Sequence, residues 1–237
     1  MNIFVTGTDT GSGKTVVTAG LATVLQCLGY TVGVYKPIQV GASVINGSIA
    51  SQDLDFVLQM DENIFTKSTY LLKTDAVPLV SAPLDNEIID YNTIVRDYNF
   101  LADQCDFVIV DGSGGISDPV TPSITVKDLI NILELPALVV AKPDKGTINH
   151  SILTVEYAKK YNIDLLGIVV SNYPQGTENR AIKTAPQIIY NFANTDLLGV
   201  LPSIKNLKTE LVPDLLIEAV IQNLNLEKIF RTKFPKL

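Results

Sequence analysis

Residues 2–15 read Asn2-Ile3-Phe4-Val5-Thr6-Gly7-Thr8-Asp9-Thr10-Gly11-Ser12-Gly13-Lys14-Thr15, and the order of chemistry along this stretch decides the fold. Asn2–Thr6 is a strand-sized apolar run, small residues follow, and Lys14-Thr15 opens a helical pattern over Lys14–Leu28 that Gly29 stops. Small residues let backbone N–H groups turn inward around anionic oxygens, and a helix N-terminus adds partial positive charge. In this context Lys14 is expected to reach the β- and γ-phosphates of a purine nucleoside triphosphate, and the Thr15 hydroxyl to ligate Mg²⁺. The loop is a variant. Where the general phosphate-loop pattern places its first glycine stands Thr8, with Gly7 one residue earlier.

Outward from this loop, strand-like runs recur at Thr31–Lys36, Phe107–Asp111, Ala137–Ala141, Leu165–Ser171 and Leu197–Leu201. They are nearly continuous in Val, Ile, Leu and Phe, as strands covered on both faces are. Helical patterns alternate with them over Gln52–Met60, Tyr91–Gln104, Val126–Leu133, Asn149–Tyr161, Asn179–Phe192 and Glu210–Asn223. The reading is an α/β protein: a doubly wound, mostly parallel sheet flanked by helices, of the P-loop NTPase type. Residues 40–90 are less regular and read as excursions, so 1–237 is expected to be a single domain. The 237 residues are 46% hydrophobic and 18% charged, which excludes a disordered chain. A formal charge of −7 argues against sequence-independent binding to nucleic acid or acidic lipid. Met1-Asn2-Ile3-Phe4-Val5 runs straight into a strand without a basic leader, and no apolar run is membrane-sized. A cytoplasmic protein with neither nucleic-acid nor membrane partner is expected. Cys27 and Cys105 are read as buried.

In such a sheet, ligands sit outside the carboxyl ends of the strands. The second strand ends at Tyr35-Lys36-Pro37, placing a lysine where it can neutralise a transferring phosphoryl group. The third ends at Val110-Asp111-Gly112-Ser113-Gly114-Gly115, an acid at the usual place for a metal-site carboxylate, with glycines behind it. Asp53 reads equally as a helix-start acid and as a second carboxylate. Asn172 has an amide able to read an adenine edge, and the lone His150 reads as structural or interfacial.

Taken together, Gly7-Thr8-Asp9-Thr10-x-x-Gly13-Lys14-Thr15, Tyr35-Lys36-Pro37, Asp111-Gly112-Ser113-Gly114-Gly115 and Gly146-Thr147-Ile148-Asn149-His150 closely resemble the dethiobiotin synthetases, from Met1 to about Pro202. The resemblance implies an ATP- and Mg²⁺-dependent ligase that joins CO₂ to 7,8-diaminononanoate through a carbamic–phosphoric anhydride, as a homodimer. It implies that Lys14, Lys36 and Thr10 are catalytic, and that Thr15, Asp53 and Asp111 surround Mg²⁺. ATP would be bound by Gly11, Ser12, Gly13, Lys14, Thr15, Val16, Asp53, Asp111, Gly112, Ser113, Gly114, Asn172 and Pro202. The substrate would meet Thr10, Lys36, Val40 and Asn149. Two positions depart from the family: Asp111 stands where glutamate is common, and Val40 where a small hydroxyl residue is usual. A partition or division-site switch ATPase is the alternative reading, although those proteins carry a lysine where Asp9 stands. Cobyrinate-type amide synthetases share the loop style but normally add a glutamine amidotransferase domain.

Overall fold

The computed structural model describes residues 1–45, 47–204 and 212–234. In chain order its elements are β1 (Ile3–Gly7), α1 (Lys14–Cys27), β2 (Val32–Gln39), β3 (Ser43–Ile45), β4 (Ser48–Ala50), α2 (Gln52–Met60), β5 (Phe65–Leu71), α3 (Pro78–Leu84), α4 (Tyr91–Ala102) and β6 (Phe107–Gly115). There follow α5 (Val126–Ile132), β7 (Ala137–Ala141), α6 (Thr147–Lys160), β8 (Leu165–Tyr173), α7 (Arg180–Phe192), β9 (Leu197–Pro202), α8 (Pro213–Asn223) and α9 (Leu226–Phe230). The first residues of the expected Glu210–Asn223 helix lie outside the described residues.

Seven strands form one sheet in the order β5-β2-β6-β1-β7-β8-β9, and each neighbouring pair is parallel. Alternate residues of each inner strand feed opposite layers. Ile3, Val5, Val34 and Ile109 join the cluster built with α1, α2, α8 and α9. Phe4, Tyr35, Val108 and Val110 join the cluster built with α4 and α5. Burial on both faces is why these strands read as unbroken apolar runs. The chain leaves β1 through α1, skips a position to form β2, and later fills the gap with β6 before continuing to β7 on the far side of β1. This change of direction opens a crevice at the carboxyl ends of β1, β2 and β6.

Three expectations are corrected. Residues 40–90 hold the edge strand β5, the antiparallel β3–β4 hairpin and α3. Strand β5 was illegible because Phe65-Thr66-Lys67-Ser68-Thr69-Tyr70-Leu71 mixes polar with apolar residues and is half-exposed along its length, as an edge allows. Strand β2 continues through Pro37 to Gln39; beyond Tyr35 it pairs only with β5, so a residue lacking an N–H is tolerated there. Cys27 is exposed at the last turn of α1, and Cys105 is only partly buried.

Gly29 stops α1 as expected. At φ 92° its N–H reaches the Gln26 carbonyl, and Tyr30 N–H reaches that of Leu25, closing a Schellman motif. Among the described residues no helix is long and apolar enough to cross a membrane.

The C-terminal segment covers the α1 layer with aromatics: fully buried Phe230 meets Phe107 edge-on at 5.4 Å between centroids, and Phe234 lies beside both. Phe230→Ala is expected to cost about 3–5 kcal/mol of stability, from lost apolar burial and the cavity left behind. Urea unfolding followed by circular dichroism checks this, as a lower midpoint at an unchanged slope.

Candidate functional site

The first strand hands the chain to a tightly turned loop. Gly11 and Gly13 take left-handed φ values of 68° and 93°, a region open to glycine at little cost. At Gly13 a Cβ would lie 2.5 Å from Ser171 Oγ on β8, so side-chain volume is excluded there as well. The Thr8 N–H donates to the Val140 carbonyl at 3.0 Å, tying the loop to β7. Helix α1 then starts with no side-chain cap and no acidic residue in its first turn, so its N–H groups and positive dipole end are left for an anion. Lys14, 8% exposed, folds back to donate to the Asp9 carbonyl at 3.3 Å.

Around the loop the expected charged residues converge. Lys36 Nζ lies 2.7 Å from Asp53 Oδ2 and 2.9 Å from Asp111 Oδ2. The Thr15 hydroxyl donates to the same Asp111 oxygen at 3.4 Å. Strand β2, helix α2, strand β6 and helix α1 thus each contribute one group. Asp53 is not the cap of α2: Ser51 is, accepting from Leu54 N–H at 3.2 Å, and the carboxylate of Asp53 is free to turn to Lys36.

Burial works against the charge on Lys36, but Asp111 and Asp53 outweigh it and hold its pKa above the ordinary lysine value. Lys14 goes the other way: burial pushes its pKa down and Lys36 adds to the shift, against the pull of Asp111. Burial raises Asp53, yet Lys36 more than offsets it, leaving that carboxyl below the usual range. Asp111 is held above it by burial, with Lys36 opposing and Asp53 reinforcing. The cluster therefore sets Lys14 and Lys36 near two carboxylates, of which Asp111 is buried and Asp53 partly exposed.

Asp111 does not end its strand, as expected, but begins a bulge. Val5 pairs with Asp111, whereas Gly7 pairs with Gly115, so β6 is longer than β1 over the same span. Glycine is required in the bulge: a Cβ on Gly112 would meet the Phe4 ring at 2.6 Å, and Gly114 sits at φ 65° against the Asp118 carboxylate. Asp118 accepts from Gly115 N–H at 2.9 Å and fastens the turn.

The remaining expected residues lie around this centre. Ser12 is buried beneath the loop, and Val16 packs on the α1 core cluster. Ser113 and Gly114 are half-buried. Asn172, at φ 54° and exposed, and Pro202 sit on the neighbouring strands β8 and β9, where Tyr173 pairs with Pro202. Thr10 is exposed, Val40 packs on the α4 cluster, and Asn149 is exposed in the first turn of α6. Among the described residues no hydrogen bond or ion pair joins Thr10, Val40 or Asn149 to Lys14 or Lys36. His150 is exposed beside Gly146.

Sequence reasoning missed Lys142, which directly follows β7 and holds Asp9 at 3.2 Å and Asp144 at 3.3 Å. Its signal was the one that singled out Lys36, a lysine after an apolar strand. Asp118, Gln39 and Ser51 were also missed, having only local turn or cap signatures.

A strand–loop–helix with an inward lysine, facing a buried lysine and two carboxylates from neighbouring strands and helix, defines a P-loop nucleotide-binding protein. A family model described as "AAA domain" matches residues 1–210. The ATP-dependent dethiobiotin synthetase of Bacillus licheniformis is 36% identical over 211 residues, covering 86% of each chain. That of Methanococcus vannielii is 32% identical, covering 88% of this chain and 97% of the relative. The chain belongs to the ATP-dependent dethiobiotin synthetase family. Among solved structures, the MinD cell division protein of Aquifex aeolicus superposes with a TM-score of 0.61 at 15% identity, over 99% of this chain and 98% of that one. At that identity the likeness concerns the fold alone.

The Gly13 geometry gives a direct test of the nucleotide seat. Gly13→Ala must place a Cβ against Ser171 and hold a left-handed φ, so ATP affinity is expected to fall at least about tenfold, or about 1.4 kcal/mol. Isothermal titration calorimetry reads this. Unchanged affinity would move the nucleotide away from the loop.

Proposed function

We propose that this chain closes the ureido ring of dethiobiotin from 7,8-diaminononanoate, CO₂ and ATP, releasing ADP and phosphate. The family's activity, ATP-dependent C–N bond formation by a ligase, carries over to it. One observation supports the finer reading most: a buried ammonium, Lys36, fixed between two carboxylates beside a phosphate loop.

A carbamate is a poor electrophile, because its negative charge repels an amine and it lacks a good leaving group. In the proposed route one substrate amine adds to CO₂ and loses a proton, giving the carbamate. A carbamate oxygen attacks the γ-phosphorus while the bond to the ADP oxygen breaks, giving a carbamic–phosphoric anhydride. The second amine attacks the carbonyl carbon, phosphate leaves, and a proton is released as the ring closes. Phosphoryl transfer and the departure of phosphate both develop negative charge that needs a cation beside the loop. Catalysis is then positioning and charge neutralisation, which Lys14 and Lys36 would supply.

The donor set fits Mg²⁺. Two carboxylates and a hydroxyl are hard oxygen ligands, and Asp111 Oδ1 is buried without a hydrogen-bond partner. Among the described residues no cage of three or more acidic, His or Cys side chains exists, which suits a cation held by one or two carboxylates together with phosphates. Thr15, Asp53 and Asp111 would hold it, and when bound it would neutralise phosphate charge. The loop from Gly11 to Val16, with Gly112 to Gly114, would seat the triphosphate, and Asn172 and Pro202 would flank adenine. Thr10, Val40 and Asn149 would border the diamine. The reading extends to residues 1–237 acting as one domain, to a homodimer and to the cytoplasm.

The assay that tests this follows ADP and dethiobiotin together. ADP release is expected to depend jointly on diaminononanoate and bicarbonate, with dethiobiotin formed in equal amount; hydrolysis indifferent to the diamine would defeat the reading. Lys36→Ala is expected to lower kcat by about a hundredfold or more, with ATP affinity largely kept. Retained ATP binding also shows that the variant is folded, since it leaves Asp53 and Asp111 without their cation. Unchanged turnover would remove Lys36 from the mechanism.

A further inference from the structure

Two buried polar side chains outside the expected set converge on the start of α2. Gln39, the last residue of β2, is 4% exposed, and Ser51, the cap of α2, is 6% exposed. The Ser51 hydroxyl donates to Gln39 Oε1 at 2.6 Å and accepts from Leu54 N–H at 3.2 Å. Gln39 Nε2 donates to the Val40 carbonyl at 2.9 Å, which orients the amide so that its oxygen faces Ser51. The relay is closed: the hydroxyl proton goes to the strand, and its lone pair receives the helix.

Strict alternation along β2 would send Lys36 and Gln39 to opposite faces of the sheet. Tyr35 and Ile38, at the same spacing, lie in one apolar cluster, so the alternation lapses between them. The lapse falls at Pro37, whose ring holds φ at about −65°, short of a fully extended strand. Lys36 and Gln39 therefore both reach the first turn of α2, one through Asp53 and the other through Ser51.

We propose that Gln39 and Ser51 are positioning residues for Asp53, a role that rests on the assignment of Lys36 and Asp53 to the ATP-dependent reaction. Asp53 has a short arm on the second residue of its helix, so its carboxylate goes where the first turn goes. The Gln39–Ser51 bond anchors that turn to the strand that carries Lys36. Helix and lysine are thereby held at two points, one of them independent of the charges that the reaction uses. Without Gln39, Ser51 still caps α2, but the turn keeps only the Asp53–Lys36 ion pair to β2 and the exposed Gln52 hydrogen bond to the Gly41 carbonyl just beyond it, at 2.7 Å.

The test compares kcat, KM for ATP and thermal unfolding for Gln39→Leu, Ser51→Ala and Ser51→Thr, each in the wild-type and Asp53→Asn backgrounds. Leucine keeps the approximate volume of Gln39 and removes its acceptor. In the wild-type background Gln39→Leu and Ser51→Ala are expected to lower kcat by about tenfold to a hundredfold while KM for ATP moves by less than about twofold. Ser51→Thr, which keeps the hydroxyl, is expected to recover most of the rate. In the Asp53→Asn background neither Gln39→Leu nor Ser51→Ala should lower kcat further, although both should still lower the unfolding temperature. Equal kcat losses in the two backgrounds, or an unchanged kcat for Gln39→Leu, would overturn the proposal while leaving the site reading intact. An unchanged kcat for Asp53→Asn alone would overturn both. Should Gln39→Leu fail to fold, the Ser51→Ala and Ser51→Thr pair carries the same comparison.

Discussion

The structure turns on one buried ammonium. Lys36 lies between Asp53 and Asp111 at 2.7 and 2.9 Å, with its side chain 5% exposed. Such an arrangement is expensive to desolvate and persists only where geometry and hydrogen bonds are good. Here they are supplied by elements that meet only because the chain reverses direction at β1. Strand β2 brings the lysine, β6 brings Asp111, the first turn of α2 brings Asp53, and Thr15 from α1 adds a hydroxyl to the Asp111 oxygen. A shift in any of these elements would leave a buried charge without its partner, so the sheet order and the site are one constraint.

Part of this is legible in the sequence alone. The phosphate loop could be read because its signal is local: strand, small residues, Lys-Thr and helix follow in one stretch. Lys36 and Asp111 could be read because a charged residue after an apolar run marks the carboxyl side of a buried strand. Asp53 could not be decided, since a helix-start carboxylate looks the same whether it caps the helix or faces a lysine from another strand. Only the position of Ser51, which takes the cap, resolves it. Strand β5 stayed hidden because an edge strand escapes the burial pattern that identified its neighbours. The close approach of Gly13 to Ser171 is a contact between distant parts of the chain and leaves no trace in either segment. Cys27 is exposed because α1 runs out into solvent at its last turn, although the apolar pattern of the helix continues to its end.

The glycines show how closely the backbone itself is fitted. Gly13 leaves room for β8 under the phosphate loop, and Gly112 leaves room for Phe4 and the Val5 carbonyl as β6 bulges past β1. Gly13 thus lets the loop close on β8, and Gly112 lets β6 close on β1. The loop is tied to β7 by Thr8 and to β8 by Gly13, while Asn172 follows directly after the Ser171 that Gly13 touches. The two proposed ends of the nucleotide seat, phosphate and base, would therefore meet at adjacent residues of β8.

The same sheet and loop serve proteins of other kinds, so the fold cannot by itself assign a reaction. What distinguishes this chain is the sign of charge around the loop. At position 9, where a switch ATPase would carry a lysine, Asp9 sits with its carboxylate paired to Lys142 at 3.2 Å and its carbonyl accepting Lys14 at 3.3 Å. A lysine there would set a third ammonium beside Lys14 and Lys142, and the pairing with Lys142 would be lost. The acid keeps the loop compact and leaves the inward cations, Lys14 and Lys36, free of competition from that side.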